Sequence, residues 1–241
     1  MTIVPLTPAA LGRALAAGWR LANATRAVSI AYAGIFTLAG SFILGGLLAL
    51  GLAPLVVAAA GAFMLVGPAV LAGFFGIAAA WEAGERVRFA AVAEGFRRAS
   101  PGLWVVALVC ALLFMIFVTD VATLYSYMVG GTPVWLGDVA AGNVGHFLKW
   151  GSISGAVFAL LLFCVSAFSV PLLCEGRATL VGAVAASVRV VFGSFPTALL
   201  WAVFLAGTVI ASILLLPLLP LTLPWLAYAS RALYREALPR E

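Results

Sequence analysis

Charge is what this chain has least of: charged residues are 9% of its 241 positions, against about 25% in an ordinary soluble domain. So few charges cannot cover a water-facing surface. Hydrophobic residues make up 65% of the chain and the mean hydropathy is +1.21, so lipid must solvate the apolar excess. A soluble globular domain, a disordered chain, a nucleic-acid module and a secreted disulfide scaffold are excluded. Histidine is almost absent as well. His146 is the single one, which excludes a bis-histidine haem site, a His-rich metal cluster and an HExxH helix. The three cysteines, Cys110, Cys164 and Cys174, lie in or beside apolar runs without CxxC spacing and are expected to be small apolar packing residues. There is no nucleophile elbow, no phosphate-cradling glycine loop before a lysine and no metal-ligand spacing. The expectation is therefore a protein that is not an enzyme and carries no cofactor.

What is abundant is apolar length. About 20 apolar residues cross the hydrocarbon core, and four stretches meet that requirement: about Ser29–Leu50, Pro54–Ala80, Leu103–Met128 and Trp150–Leu173. From Phe195 to Ala229 no residue is charged, a length that suits a helical hairpin, with Pro217, Pro220 and Pro224 marking its turn and the start of a short, irregular sixth span. The spacing predicts an all-α, multi-pass bundle of six spans, with five as the alternative. The basic residues favour an even number. Of 13, 12 fall in the N-terminal segment, the second-to-third connection, the fourth-to-fifth connection and the tail; only Lys149 lies on the other side. By the positive-inside rule both termini are then cytoplasmic. The first apolar stretch exceeds the ~7–15 residues of a cleavable signal core and is expected to remain as an anchor.

A degenerate pattern, small–aliphatic–Ala–x–(Gly/Ser)–bulky–Arg, occurs at Ala14–Arg20, Ala91–Arg97 and Ala183–Arg189. Each copy precedes a predicted hairpin, which divides the chain into units of about 8–80, 86–173 and 178–235. Each unit would start with an amphipathic helix at the cytoplasmic headgroups, where Arg20, Arg97 and Arg189 contact anionic lipid. Pro68, Pro171 and Pro224 lie in the returning helices, where a missing N–H permits a kink.

Asp120 is the most pointed polar candidate, because a carboxylate in the apolar run Leu103–Met128 needs a partner, a proton or water. It is either an interfacial aspartate shielded by Thr119 and Thr123 or a buried polar site, with Lys149 and His146 as partners on the same side. Gly151 and Gly155 open the fourth span with GxxxG spacing, and Ser152 and Ser154 offer interhelical hydrogen bonds; the pair serves packing within the chain or a homo-oligomer contact. The outer connection holds Trp135 as an interfacial anchor, followed by a turn at Gly142–Gly145. Glu82-Ala83-Gly84-Glu85-Arg86 and Glu175-Gly176-Arg177 occupy corresponding turns and are expected as salt-bridged helix ends.

With these residues assembled, the chain resembles the bacterial inner-membrane family called domain of unknown function 2189. The resemblance rests on Ala62–Pro68, Glu82–Glu85, Ser166–Leu173, Ala186–Arg189, Leu200-Trp201 and Leu233–Arg235. Two stretches depart from the family pattern. Phe75–Ala79 replaces a Tyr-Glu-x-Ser-Arg stretch, and Tyr228, Arg231 and Ala232 stand where relatives have histidines and a tryptophan. The resemblance implies a multi-pass inner-membrane protein without an assigned activity. Taken with the missing chemistry, it leads to an expected accessory, scaffold or assembly component whose partners are membrane lipids and other subunits of a membrane complex, with no nucleic acid. A small transporter or channel-like protein using Asp120 is the alternative.

Overall fold

The computed structural model describes residues 3–130 and 142–239, apart from the side chains of 57, 58, 60–66, 69 and 142. The outer connection with Trp135, and Arg240 of the tail, lie outside the described residues. Every regular element among those residues is helical: α1 (Pro8–Ala24), α2 (Arg26–Ala49), α3 (Leu55–Glu82), α4 (Ala90–Arg98), α5 (Pro101–Val129), α6 (Gly142–Ser166), α7 (Ser169–Cys174), α8 (Leu180–Gly193), α9 (Phe195–Leu214) and α10 (Leu219–Ala237).

The starts of these helices follow from local chemistry. Thr7 accepts the Ala10 N–H and Pro8 occupies the first turn of α1; Ser100 accepts the Gly102 N–H ahead of Pro101 in α5; Thr179 accepts the Gly182 N–H at the start of α8. A small hydroxyl at the N-cap and a proline in the first turn satisfy or remove amides that have no carbonyl to reach. The ends are equally local. Gly84 and Gly176, at φ +70° and +64°, close α3 and α7 in the left-handed conformation that glycine adopts at no cost. The Glu85 N–H then reaches the Ala80 carbonyl and the Arg177 N–H the Leu172 carbonyl, each at 3.0 Å.

Among the described residues, four helical stretches are long and apolar enough to cross a membrane: α2, α5, the α6–α7 pair over Asn143–Cys174, and α9. Their outward faces carry Leu38, Phe42, Leu108 and Val203, all well exposed, an arrangement only lipid would solvate. The run from Phe195 divides into α9, a 3-10 turn at Leu216–Leu218 containing Pro217, and α10. The prolines behave unequally. Pro68 and Pro224 sit inside continuous helices, whereas α6 breaks at Ala167-Phe168, just ahead of Pro171. Ala167 is the residue whose carbonyl a proline at 171 both crowds and leaves without its helical donor. Gly142–Gly145, expected as a turn, belongs to the first turns of α6, because the apolar helical pattern extends to Val144 and Phe147, both buried.

α1, α4 and α8 gather at the end of the bundle where α3, α7 and α10 finish. Contacts join α1 to α10, α4 to α3, and α8 to α6 and α7. The contact points are small residues. A Cβ on Gly18 of α1 would lie 2.6 Å from the Ala229 backbone N of α10, and one on Gly95 of α4 would lie 2.2 Å from the Ala72 carbonyl of α3. Ser187 of α8 is fully buried; it accepts the Phe168 N–H at 3.2 Å and donates to the Cys164 carbonyl at 2.8 Å. It thereby bridges the break before Pro171. The chain ends meet at this same end, where the Val4 N–H donates to the Ala237 carbonyl at 2.9 Å.

Candidate functional site

The glycine-closed ends of α3 and α7 each deliver a glutamate, Glu82 and Glu175, to the same face of α10. On that face the spacing of Tyr228, Arg231 and Arg235 puts three polar side chains in one helical row. Arg231 grips Glu82 with both terminal nitrogens, at 2.6 and 3.0 Å. Arg235 repeats the grip on Glu82 at 2.8 and 3.2 Å and reaches Glu175 Oε1 through Nη2 at 2.9 Å and Nε at 3.2 Å. The Arg231 Nε lies 3.4 Å from the same Glu175 oxygen, an ion-pair contact that lacks hydrogen-bond geometry, so this buried N–H has no acceptor.

Burial divides the cluster. The Arg231 and Glu175 side chains are 6% and 8% exposed, while Glu82 is 42% exposed. Burial pushes the Glu82 carboxyl up, but the hydrogen bonds and charges of Arg231 and Arg235 outweigh that and hold it below its usual range. Arg177 extends the network: it donates to the Tyr234 hydroxyl at 2.7 Å and to the Leu238 and Pro239 carbonyls at 2.9 Å, tying the turn after α7 to the end of α10. One turn deeper, the Tyr228 hydroxyl lies 2.7 Å from Ser29 Oγ and 3.3 Å from Thr25 Oγ1, which binds α2 to α10.

Asp120 is half-buried on α5 and accepts a hydrogen bond from Ser154 of α6. No ion pair links it to Lys149 or His146 among the described residues; both are exposed near the start of α6. Thr119 and Thr123 donate to carbonyls of their own helix at 2.8 Å, so their hydroxyl protons go to the backbone rather than to the carboxylate. Gly155 faces the Phe117 ring, 3.4 Å from where a Cβ would stand, and Gly151 meets only Phe147 of its own helix at 4.0 Å. The close backbone approaches occur at Gly18, Gly76 and Gly95 instead. Between α5, α6 and α9 lies an apolar cavity of about 310 Å³. Arg20 and Arg189 are exposed on α1 and α8, and Arg97 pairs with Glu94 within α4.

Chemically the ends of α3, α7 and α10 form a lattice of two carboxylates and two guanidiniums that consume one another. Such a lattice positions helices and leaves no carboxylate poised as a free base. Among the described residues no three His, Cys, Asp or Glu side chains come together as metal ligands. Reasoning from sequence put Glu82 and Glu175 at corresponding turns but did not find their partners. The signal for Arg231 was its place in the last helix at a position where the resembled family has other residues; nothing local marked its pairing with Glu82, 149 residues away.

Residues 55–175, half of the chain, match the family described as "Predicted integral membrane protein (DUF2189)". That segment runs from the start of α3 to Glu175, so it contains both glutamates of the lattice and stops short of both arginines. Neither curated proteins nor solved structures provide a match.

Proposed function

The chain belongs to the DUF2189 family of predicted integral membrane proteins, and from that premise we propose that it is a non-catalytic accessory or assembly component of a bacterial inner-membrane complex. The observation that carries the reading is the lattice itself. The charged side chains that meet at the ends of α3, α7 and α10 are bound to one another, as they are in a device that holds helices in register. The proposed topology has six spans in three hairpins, with both termini and the arginine-rich end on the cytoplasmic side. α3 has 28 residues, ample for a crossing, and α10 forms the short sixth span.

Two features support three equivalent units. Gly18, Gly95 and Ser187 hold the same place in the three repeated patterns, and each is the point where its helix seats on a returning helix. Eleven positions separate Gly84 from Gly95, and eleven separate Gly176 from Ser187. Each interfacial helix seats on the helix that ends the preceding unit, with α1 on α10 completing the circle. A closed ring of this kind offers its partners a rigid collar and a wide apolar perimeter.

Purification in several mild detergents with mass spectrometry tests the reading. A stoichiometric membrane partner is the expected result, and a monodisperse chain without one in every detergent overturns it. The Asp120–Ser154 pair favours a second reading, a small transporter. Proteoliposome flux of a cation or proton that disappears in Asp120→Asn is the outcome that reading requires.

A further inference from the structure

A groove of about 500 Å³ opens between α1 and the ends of α3 and α10, a volume within the ~300–1,000 Å³ typical of small-molecule sites. Its polar lining is Arg20, Arg231, Arg235, Tyr228 and one carboxylate, Glu82. Arg231 and Arg235 are already committed to Glu82 and Glu175, but Arg20 is exposed and makes no ion pair or hydrogen bond among the described residues. The groove therefore keeps one uncompensated guanidinium, Arg20, at its mouth, over a floor in which Glu82 and Glu175 match the charges of Arg231 and Arg235. The apolar part of its lining includes Ala17, Ala24 and Ala232, whose small side chains leave the space open, together with Leu21. Trp81 lines it while 48% exposed, and Trp19, half-exposed beside Arg20, packs edge-on against Trp225 at 5.8 Å.

We propose that this groove seats the phosphate of an anionic phospholipid headgroup, with Arg20 as the residue that binds it. A planar guanidinium suits a phosphate oxygen pair. Half-exposed tryptophans mark the depth at which headgroups lie, and the apolar wall accepts the glycerol and first methylenes. The source is a lipid rather than a water-soluble phosphate because the site combines that wall with aromatic side chains at headgroup depth. The inference rests on the proposed topology only in assigning the leaflet; binding itself is independent of whether the chain has a protein partner.

Intrinsic tryptophan fluorescence during thermal unfolding in dodecyl maltoside provides the test on the full chain alone. Phosphatidylglycerol is expected to raise the Tm by several degrees, and phosphatidylcholine, whose choline offsets the charge of its phosphate, to leave it within one degree. Arg20→Gln should lose at least half of that rise, Arg20→Lys should retain part of it, and Arg86→Gln, an exposed arginine outside the groove lining, should retain all of it. Equal shifts with the two lipids, or a full shift in Arg20→Gln, would overturn the site. The same stabilisation by millimolar inorganic phosphate would overturn the lipid as its source. Because no partner protein is present, failure here leaves the assembly reading standing, and the absence of a co-purifying partner leaves this site standing.

Discussion

The two ends of the molecule solve the problem of polar groups near lipid in opposite ways. At the arginine-rich end, three helix termini bring Glu82, Glu175, Arg231 and Arg235 together, and backbones approach so closely at Gly18, Gly76 and Gly95 that no side chain fits between them. Toward the other end, one carboxylate meets one hydroxyl, Asp120 with Ser154, beside an apolar cavity, and the glycines of α6 face a ring or nothing. Charge pairing and close backbone approach are concentrated where α1, α4 and α8 dock, and α5 and α6 beyond it are held mainly by apolar contact around Phe117, Val121, Tyr125 and Phe147.

Substitutions can test that contrast directly. Arg231→Met should be the most damaging, because it leaves Glu175 nearly buried with part of its compensation gone. Removing one partner of a buried pair costs about 3–5 kcal/mol, expected as a lower Tm in detergent or as loss of folded protein. Replacing the whole buried pair with apolar residues, Arg231→Met with Glu175→Leu, should recover part of that loss. Gly76→Ala comes next. Its Cβ would stand 2.2 Å from the Ala91 carbonyl and 2.7 Å from Gly95, forcing α4 off α3 at about 1–3 kcal/mol, the usual range for overpacking. Gly151→Ala, which meets only Phe147 at 4.0 Å, should be neutral or slightly stabilising, since alanine is the better helix former by roughly 0.5–1 kcal/mol. Equal destabilisation by the two alanines would erase the proposed difference between the ends.

Acid should weaken the arginine-rich end. Glu82 is held below the usual carboxylate range in the folded chain, with burial raising it and Arg231 and Arg235 outweighing burial. Its contribution is therefore complete above the unfolded-chain value of about 4.3 and is lost as pH falls through the depressed folded value. With Glu82 42% exposed, solvent screening limits the effect to about 1 kcal/mol or less. A Tm series from pH 7 down to pH 3 should fall in the wild type and be flatter in Glu82→Gln. A parallel fall in both would place the acid sensitivity elsewhere.

How far these features could be read in advance depended on sequence separation. The apolar runs and the repeated patterns are local, and they located the long apolar helices, four of which among the described residues are long enough to cross a membrane, and the three helices that dock on them; that the fifth position of each pattern, Gly18, Gly95 or Ser187, is a point of close contact emerges only from the fold. What no local pattern contained was the identity of the partner. Arg231 and Glu82 are joined across 149 residues and Asp120 and Ser154 across 34, and both pairings depend on which faces of which helices meet. The GxxxG spacing of Gly151 and Gly155 shows the same limit from the other side. Spacing places two glycines on one face of a helix, but only the neighbour decides whether that face is approached, and here the neighbour presents Phe117.

The smallest expected effect is at Asp120, and it separates packing from transport. In Asp120→Asn the side-chain carbonyl still accepts the Ser154 hydroxyl, so an interhelical hydrogen bond remains; such bonds within membranes average about 0.6 kcal/mol. The variant should therefore unfold within a degree or two of the wild type. If Asp120 serves only to join α5 to α6, nothing else should change, because the amide preserves the contact. If Asp120 carries a proton or cation, the amide abolishes flux in proteoliposomes while leaving stability nearly untouched, since an amide cannot bear the charge. Stability alone cannot distinguish the two roles, but stability and flux measured together on one variant can, because this substitution keeps the hydrogen bond and removes only the ionisable group.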